Sequence, residues 1–413
     1  MPDQNSTNLV ADSAQKEMAP ELDDFWSRAL LKRLARIKHG RLTLVTPRKS
    51  VLSFGAAGEE PAISLAIHAA NVARRLVFNG SIGFAEAYMD GDWECPDLVG
   101  LITLAAANER ALGFDNDGHV LPRIFERVRH AINRNSRRGS QRNIAYHYDL
   151  GNAFYAAWLD PSMTYSSALF AHEHEDLSTA QRRKNEAVAE LLDVAPGQSV
   201  LEIGCGWGGF AELAAGTHDC RVTGLTLSQA QRDYSVARLS AAGLAQATEI
   251  RLQDYRDTAG RFDRIASIEM IEAVGAKHWG TYFARLRQLL APGGKVVLQA
   301  ITIADDRFET YRRCPDFIQR YIFPGGMLPS PAVLRAESAR AGFALVEGAR
   351  FADSYARTLA LWQERFQAAW PRIAALGFDR RFKRMWEYYL AYCEAGFRAN
   401  TLDVGLYRLE PQG

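Results

Sequence analysis

The sequence predicts an α/β protein whose mixed sheet of about seven strands carries helices on both faces. Short apolar segments alternate with polar or helical stretches from about residue 144 onward, as in βαβ units. A glycine-rich turn follows the first apolar segment. The chain has 413 residues, of which 47% are hydrophobic, so it can bury a sizeable core in roughly two to three domains.

The predicted strands of this sheet are six short segments with apolar centres. They are residues 199–203, 221–225, 249–252, 264–268, 295–300 and 401–409. Because helical or polar stretches separate the first five, we expect them to run parallel.

Four segments divide the chain. Residues 1–20 are polar and predict a flexible tail, and residues 21–120 predict a small α+β domain with a helix over 25–38, a strand over 41–55 and a helix over 66–78. Residues 121–143 are rich in arginine and form either a solvated linker or a contact with anionic lipid headgroups. Residues 144–413 carry the α/β pattern.

Composition excludes several classes of protein. The net charge of +1 and the lack of a known nucleic-acid-binding motif around the clustered arginines argue against a nucleic-acid partner. The five cysteines form no CxxC pair, so we expect no disulfide framework, no metal site and a reducing, cytoplasmic compartment. We see no signal pattern at residues 1–20 and no apolar run of about 18 residues, so any lipid substrate is reached from the aqueous side.

The strongest local signal is the segment 200–210, VLEIGCGWGGF, an apolar strand that enters a glycine-rich turn. Gly204 and Gly206 permit the turn and let a ligand approach the backbone, and Glu202 lies at the strand end. The string also fits the dinucleotide motif GxGxxG. However, the preceding Glu202 and the Trp-Gly-Gly that contains Gly208 favour the glycine motif of methyltransferases.

Two further strand ends support a methyltransferase over a nicotinamide enzyme. The second strand is followed by neutral hydrogen-bonding groups, where a nicotinamide site would place an acid for the ribose. These groups are Thr226, Ser228 and Gln231. The third strand leads to Gln253 and Asp254, a polar pair that could hold an adenine edge.

Ordered motifs over nearly the whole chain resemble the cyclopropane fatty acid synthase and mycolic acid cyclopropane synthase family. Besides the glycine turn, they are YHYDLGN at 146–152, MTYS at 163–166, SIEMIEAVG at 267–275, YIFPGG at 321–326, YARTL at 355–359 and YCEAGFR at 392–398. The resemblance implies a Rossmann-like methyltransferase fold, bound S-adenosylmethionine (SAM), and a lipid-associated N-terminal domain over 21–120. It adds Tyr165 and Ser166 to the expected cofactor contacts.

The resemblance also implies a catalytic ring that holds a bicarbonate base. Its members here are Glu272, Tyr355, the backbone of Ile301, Ser167 and Gln299. The family usually has Cys at Ser167 and His at Gln299, and it often has His at Ala273, so we expect a weaker or altered anion site. Cys393 matches a cysteine once proposed as a nucleophile; we favour a packing role that lines the site.

The implied reaction is methylene transfer to the double bond of an unsaturated phospholipid acyl chain, which forms a cyclopropane ring. Because Ser167 and Gln299 alter the ring of residues, a methyl-branched unsaturated product is the alternative. A lipid-binding protein without catalysis is a third hypothesis. The implied location is the inner face of the membrane, bound peripherally, and a homodimer is left open.

Overall fold

The computed structural model describes residues 24–56, 58, 60–113 and 150–412. The tail expected at 1–20 and the arginine-rich segment 121–143 lie outside the described residues. The chain divides into two compact units, Met1–Phe125 with Asp379–Ala395, and Glu126–Phe378 with Gly396–Gly413. The sequence analysis placed residues 379–395 with the α/β domain, whereas in the structure they belong to the first unit.

The first unit contains a four-stranded sheet in the order β2-β1-β3-β4, with helices. Its elements are α1 (Phe25–Leu34), β1 (Arg41–Val45), β2 (Val51–Gly55), β3 (Ala62–Ile67), α2 (Val72–Asp90), β4 (Trp93–Glu94), α3 (Leu98–Ala107) and α4 (Glu109–Leu112).

Local chemistry explains where these elements begin. The carboxylate of Asp24 accepts from the backbone amides of Trp26 and Ser27, at 2.8 Å and 3.2 Å, and so caps α1. The strand expected over 41–55 is two strands, since β1 turns back and pairs antiparallel with β2. The helix expected over 66–78 begins only at Val72, because β3 pairs with β1 through Ala66.

Helix α13 (Arg380–Arg398) supplies the late part of the first unit. The buried guanidinium of Arg384 donates to the carbonyls of Tyr88 and Trp93, the latter at 2.7 Å. It also lies 4.1 Å from the centre of the Tyr88 ring. These contacts join residues nearly 300 positions apart, which is why sequence patterns did not predict the grouping.

The second unit is built on a seven-stranded sheet in the order β10-β11-β9-β8-β5-β6-β7. Its elements are α5 (Asn152–Trp158), α6 (Leu177–Leu192), β5 (Ser199–Ile203), α7 (Gly209–Gly216), β6 (Arg221–Thr226), α8 (Gln229–Ala241), β7 (Thr248–Leu252), β8 (Phe262–Ile268), α9 (Trp279–Leu289), β9 (Leu290–Ile303), α10 (Asp305–Tyr311), α11 (Pro331–Arg340), β10 (Phe343–Arg350), α12 (Ala352–Ala375) and β11 (Leu402–Pro411).

This topology confirms the predicted mixed sheet of seven strands. Strands β5 to β9 pair in parallel, and β11 runs antiparallel to both β9 and β10. Strand β10 was missed. The parallel strands end at one edge of the sheet, where ligands of such folds bind.

Candidate active site

The glycine turn after β5 takes a backbone shape that side chains disfavour. Gly204, Gly206 and Gly208 have φ of 82°, 52° and 83°. The amides of Gly204 and Cys205 both donate to the carbonyl of Leu225, at 3.0 Å and 2.9 Å, which ties the turn to β6. The turn therefore leaves the backbone open to a ligand at the carboxyl end of β5.

A cavity lies beside this turn, and most of the predicted cofactor residues line it. They are Tyr165, Ser166, Glu202, Gly204, Gly206, Thr226, Gln231, Gln253 and Asp254. Ser228 and Gly208 are not among its lining residues: the Ser228 hydroxyl accepts from the amide of Gln231 and caps α8, and Gly208 precedes α7.

Two buried ionisable groups, Glu202 and Lys184, face this cavity. Burial raises the pKa of Glu202 to about 8, and Lys184 acts in the opposite direction. Among the described residues, Glu202 Oε2 has no hydrogen-bond partner. A buried carboxyl oxygen of this kind can accept a hydrogen bond from the ammonium of an amino-acid ligand. Gln253 and Asp254, which follow β7, add polar groups to the lining of the same cavity. The cavity therefore fits SAM.

A carboxylate that the sequence reasoning passed over, Glu269, lies at the centre of the catalytic ring. Its Oε1 accepts from the Ser166 hydroxyl at 2.7 Å, from the Ser167 amide at 2.9 Å and from Gln299 Nε2 at 2.7 Å. Its Oε2 accepts from the Tyr355 hydroxyl at 2.7 Å. Three members expected to hold a bicarbonate thus contact a carboxylate of the protein itself.

The backbone of Glu269 also marks it as unusual. Its φ is 49°, in the left-handed region that non-glycine residues rarely adopt. Strain of this kind is concentrated at functional sites, where surrounding contacts hold it in place. The available sequence signal was the charge itself, since Glu269 directly follows the apolar strand β8 at the ligand-binding edge.

Glu272 makes a different set of contacts from those of Glu269. Its Oε1 accepts from the Ile301 amide at 2.6 Å, a group that the predicted ring assigned to the bicarbonate. Its Oε2 is out of solvent and has no partner among the described residues, although the residue as a whole is half-buried. Burial, helped by the nearby charge of Glu269, raises the pKa of Glu272 to about 8. Glu272 is therefore mostly protonated at neutral pH.

Replacing Glu272 with Gln is expected to stabilise the protein selectively at alkaline pH. Because its pKa rises from 4.5 to about 8 on folding, Glu272 contributes stability below pH 4.5 and loses it as pH rises through about 8. Gln copies the neutral acid. The variant should gain roughly a few kcal/mol in unfolding free energy, relative to the unmodified protein, between pH 5 and pH 9. Urea unfolding at both pH values measures this gain.

The matched control for this experiment is Glu190→Gln, at an exposed position of α6. Its stability difference from the unmodified protein should stay the same at both pH values. If the stability difference between Glu272→Gln and the unmodified protein also stayed the same at both pH values, the Glu272 carboxyl would not be buried and protonated.

The remaining predicted residues take other positions. The Ser167 hydroxyl donates to the carbonyl of Ala168, at 2.9 Å, so only the backbone of Ser167 serves the ring. Cys393 is half-buried on α13 in the first unit, and its role stays a prediction. Among the described residues, no cluster of three His, Cys, Asp or Glu side chains could hold a metal ion. Nor is any described helix long and apolar enough to cross a bilayer.

Three features together define a SAM-dependent methyltransferase. They are the doubly wound sheet, the glycine turn after β5, and the cavity at the carboxyl edge of the sheet that the predicted cofactor residues line. A model of the family described as mycolic acid cyclopropane synthetase matches residues 135–406. The chain belongs to this family.

Relatives and solved structures agree with this assignment. The chain is 41% identical to the tuberculostearic acid methyltransferase of Mycobacterium tuberculosis over 94% of this chain and 92% of the relative. It is 38% identical to the cyclopropane-fatty-acyl-phospholipid synthase of Escherichia coli over 80% and 83%. A mycolic acid cyclopropane synthase solved with SAH and CTAB matches with a TM-score of 0.62 and 30% identity, over 65% of this chain and 97% of that chain.

Proposed function

We propose that this protein methylates a double bond in the acyl chain of an unsaturated phospholipid, and that Glu269 accepts the proton which the reaction releases. The observation that carries the proposal is the convergence of four donors on the Glu269 carboxylate beside the cofactor cavity. The names of the two relatives, which contain a fatty acid and a fatty-acyl phospholipid, support an acyl lipid.

The two oxygens of Glu269 have different capacities to accept a proton. Oε1 already accepts three hydrogen bonds, from Ser166, Ser167 and Gln299. Oε2 accepts one, from Tyr355, so it keeps lone-pair capacity. We therefore assign Oε2 as the proton acceptor and the other donors as the groups that hold it in place.

Bound in this cavity, SAM would supply a methyl group to one alkene carbon and leave as the thioether S-adenosylhomocysteine, so that the neighbouring carbon would carry a positive charge. The protein must keep water away from this charge. Tyr165 lines the cavity, and its ring lies 5.4, 5.6 and 5.2 Å from those of Tyr155, Trp158 and Trp362. Tyr165 therefore brings an aromatic ring to the cavity with three apolar rings packed behind it, and aromatic rings stabilise cations.

A bound bicarbonate does not fit the ring as it stands. Gln299, Tyr355 and the Ser167 amide, which would have to donate to the anion, already donate to Glu269. Glu269 brings the same chemical group, a carboxylate, to that place. Our proposal therefore needs no step through a bound anion.

For the product we propose a methyl-branched chain that keeps a double bond. In this outcome, Glu269 takes a proton from the cation and the freed electron pair forms a new carbon–carbon double bond. Two observations support it: the ring differs from the family pattern at Ser167 and Gln299, and the relative that is 41% identical is named a methyltransferase.

The second candidate is a cyclopropane ring, in which Glu269 takes a proton from the transferred methyl group and the electron pair of that C–H bond closes onto the cation. The retained pair of Glu272 and the Ile301 amide favours it, as does the identity of 38% to a cyclopropane synthase. Both products add one methylene to the mass of the chain.

We expect a vinyl proton and a new carbon branch in the NMR spectra of lipids treated with the protein and SAM. Mass spectrometry should show one added methylene for each modified double bond. Upfield cyclopropane protons would instead establish the second candidate, and unchanged lipids would contradict both. The lipid should be offered both in anionic vesicles and in detergent.

The comparison of vesicles with detergent addresses where the protein works, which we propose to be the inner face of the membrane. On α1, Phe25 is 66% exposed, its ring lies 5.0 Å from that of Trp26, and Lys32 is exposed. Aromatic rings beside cations suit an anionic lipid surface. Faster modification in anionic vesicles than in detergent supports work at an anionic lipid surface.

A further inference from the structure

Lys184 on α6 is a buried cation beside the methyl-transfer site. It is 1% exposed and faces the cofactor cavity. Among the described residues, its ammonium makes one hydrogen bond, a long one of 3.5 Å to the Ser166 hydroxyl. Burying an ammonium with so few partners is costly, so its presence calls for a compensating role.

The hydrogen bonds of Ser166 show what Lys184 does to its neighbour. A hydroxyl has one proton to donate and two lone pairs that accept. Lys184 and Gln299 both approach Ser166 Oγ as donors, at 3.5 Å and 3.0 Å, and neither can accept from it there. The single Ser166 proton is therefore directed to Glu269 Oε1, at 2.7 Å.

The charge of Lys184 balances the acids around it. Glu269 on the β8 end, Glu202 on β5 and Asp160 after α5 all favour its charged form. One step further away, Glu272 faces Glu269 and Arg238 faces Glu202. Burial nevertheless lowers the pKa of Lys184 to about 8. The ammonium of Lys184 therefore lies among acidic groups on three elements, and Glu269 is the first of them.

We propose that Lys184 is a positioning residue for methyl transfer: its ammonium orients the Ser166 hydroxyl toward Glu269 and so holds the carboxylate in place for the proton that the reaction releases. The inference rests on the proposed function, since it names the group that positions the base. Lys184 acts through Ser166, and it takes no proton from the acyl chain.

The test compares Lys184→Met and Lys184→Arg with the unmodified protein in kcat measured across pH. The Met variant should lose about 10- to 100-fold in kcat with little change in KM, because the Ser166 proton is no longer directed to Glu269 and the carboxylate is held less firmly. The Arg variant should recover part of the rate. A purely structural role would lower the amount of folded protein and leave the kcat of the folded protein unchanged.

A second readout does not depend on activity. Because the pKa of Lys184 falls from 10.5 to about 8 on folding, the unmodified protein should gain stability relative to Lys184→Met as pH rises from about 8 to 10.5. Urea unfolding at the two pH values measures this gain. Lys295→Met, at a cation paired with Asp193 at 2.9 Å, is the matched control and should keep the pH–rate profile.

The outcomes separate the two proposals. If the unmodified protein leaves acyl chains unchanged, the proposed function fails, whatever the unfolding experiment gives. If the unmodified protein is active and Lys184→Met keeps the same kcat, the positioning role is overturned. A stability difference that stays constant between pH 8 and 10.5 overturns the buried ammonium on which the inference depends.

Discussion

Replacing Glu269 with Gln should lower kcat by about 1,000-fold while SAM still binds. Gln has nearly the same shape, and its carbonyl can keep the hydrogen bonds from Ser166, Ser167 and Gln299. It cannot accept the proton that methyl transfer releases. Initial rates on phospholipid vesicles measure the loss, and calorimetry with SAM shows whether the cavity is intact, with an affinity expected within about twofold.

A variant with a shorter side chain at position 269 tests whether the hydrogen-bond donors of the ring hold the Glu269 carboxylate. Glu269→Ala removes the carboxylate and leaves the donors of Gln299, Tyr355 and the Ser167 amide free. Formate or bicarbonate should then restore part of the rate, since either anion could accept from these donors. The exposed Glu173→Gln serves as the control and should behave like the unmodified protein. Activity above a tenth of normal in Glu269→Gln would show that another group accepts the proton.

The central sheet was predictable because its strands are local apolar runs. Strand β5 has the predicted bounds, and β6 and β8 differ by one or two residues. Strand β9 was predicted too short, since its first residues include Pro292 and two glycines that suggest a turn. Strand β10 was missed because most of its side chains are exposed and only Phe343 is buried. Its place depends on pairing with β11, more than 50 positions away.

The site shows a similar contrast between local and distant information. The glycine turn and the polar strand ends are short patterns, and most of the predicted residues line one cavity. The role of Glu269 is different, because its partners Ser166 and Tyr355 are 103 and 86 positions away in sequence. The left-handed backbone conformation of Glu269 could not be predicted from the sequence either, because glutamate does not favour that conformation. Sequence patterns therefore supplied most members of the ring and missed the group at its centre.

Gly204→Val should weaken SAM binding at least about 100-fold, which corresponds to roughly 2.7 kcal/mol. Gly204 has φ of 82°, where any L side chain is strained and a β-branched one most of all. An added Cβ would lie 3.1 Å from Met270 Cγ, and both residues line the cavity. The two methyl groups of Val would extend beyond that Cβ, so the variant would both strain the turn and narrow the space for the cofactor.

Strain alone must be separated from loss of the cavity, and Gly243 offers the matched control. Its φ is 76°, it is exposed, and a Cβ there would meet no atom within 4 Å. Gly243→Val should therefore lose stability through backbone strain and keep its affinity for SAM. Calorimetry with SAM, together with thermal unfolding of both variants, makes the comparison. If Gly204→Val bound SAM as tightly as Gly243→Val, the cofactor would not approach the backbone at the end of β5. The assignment of this turn to the cofactor would then have to be abandoned.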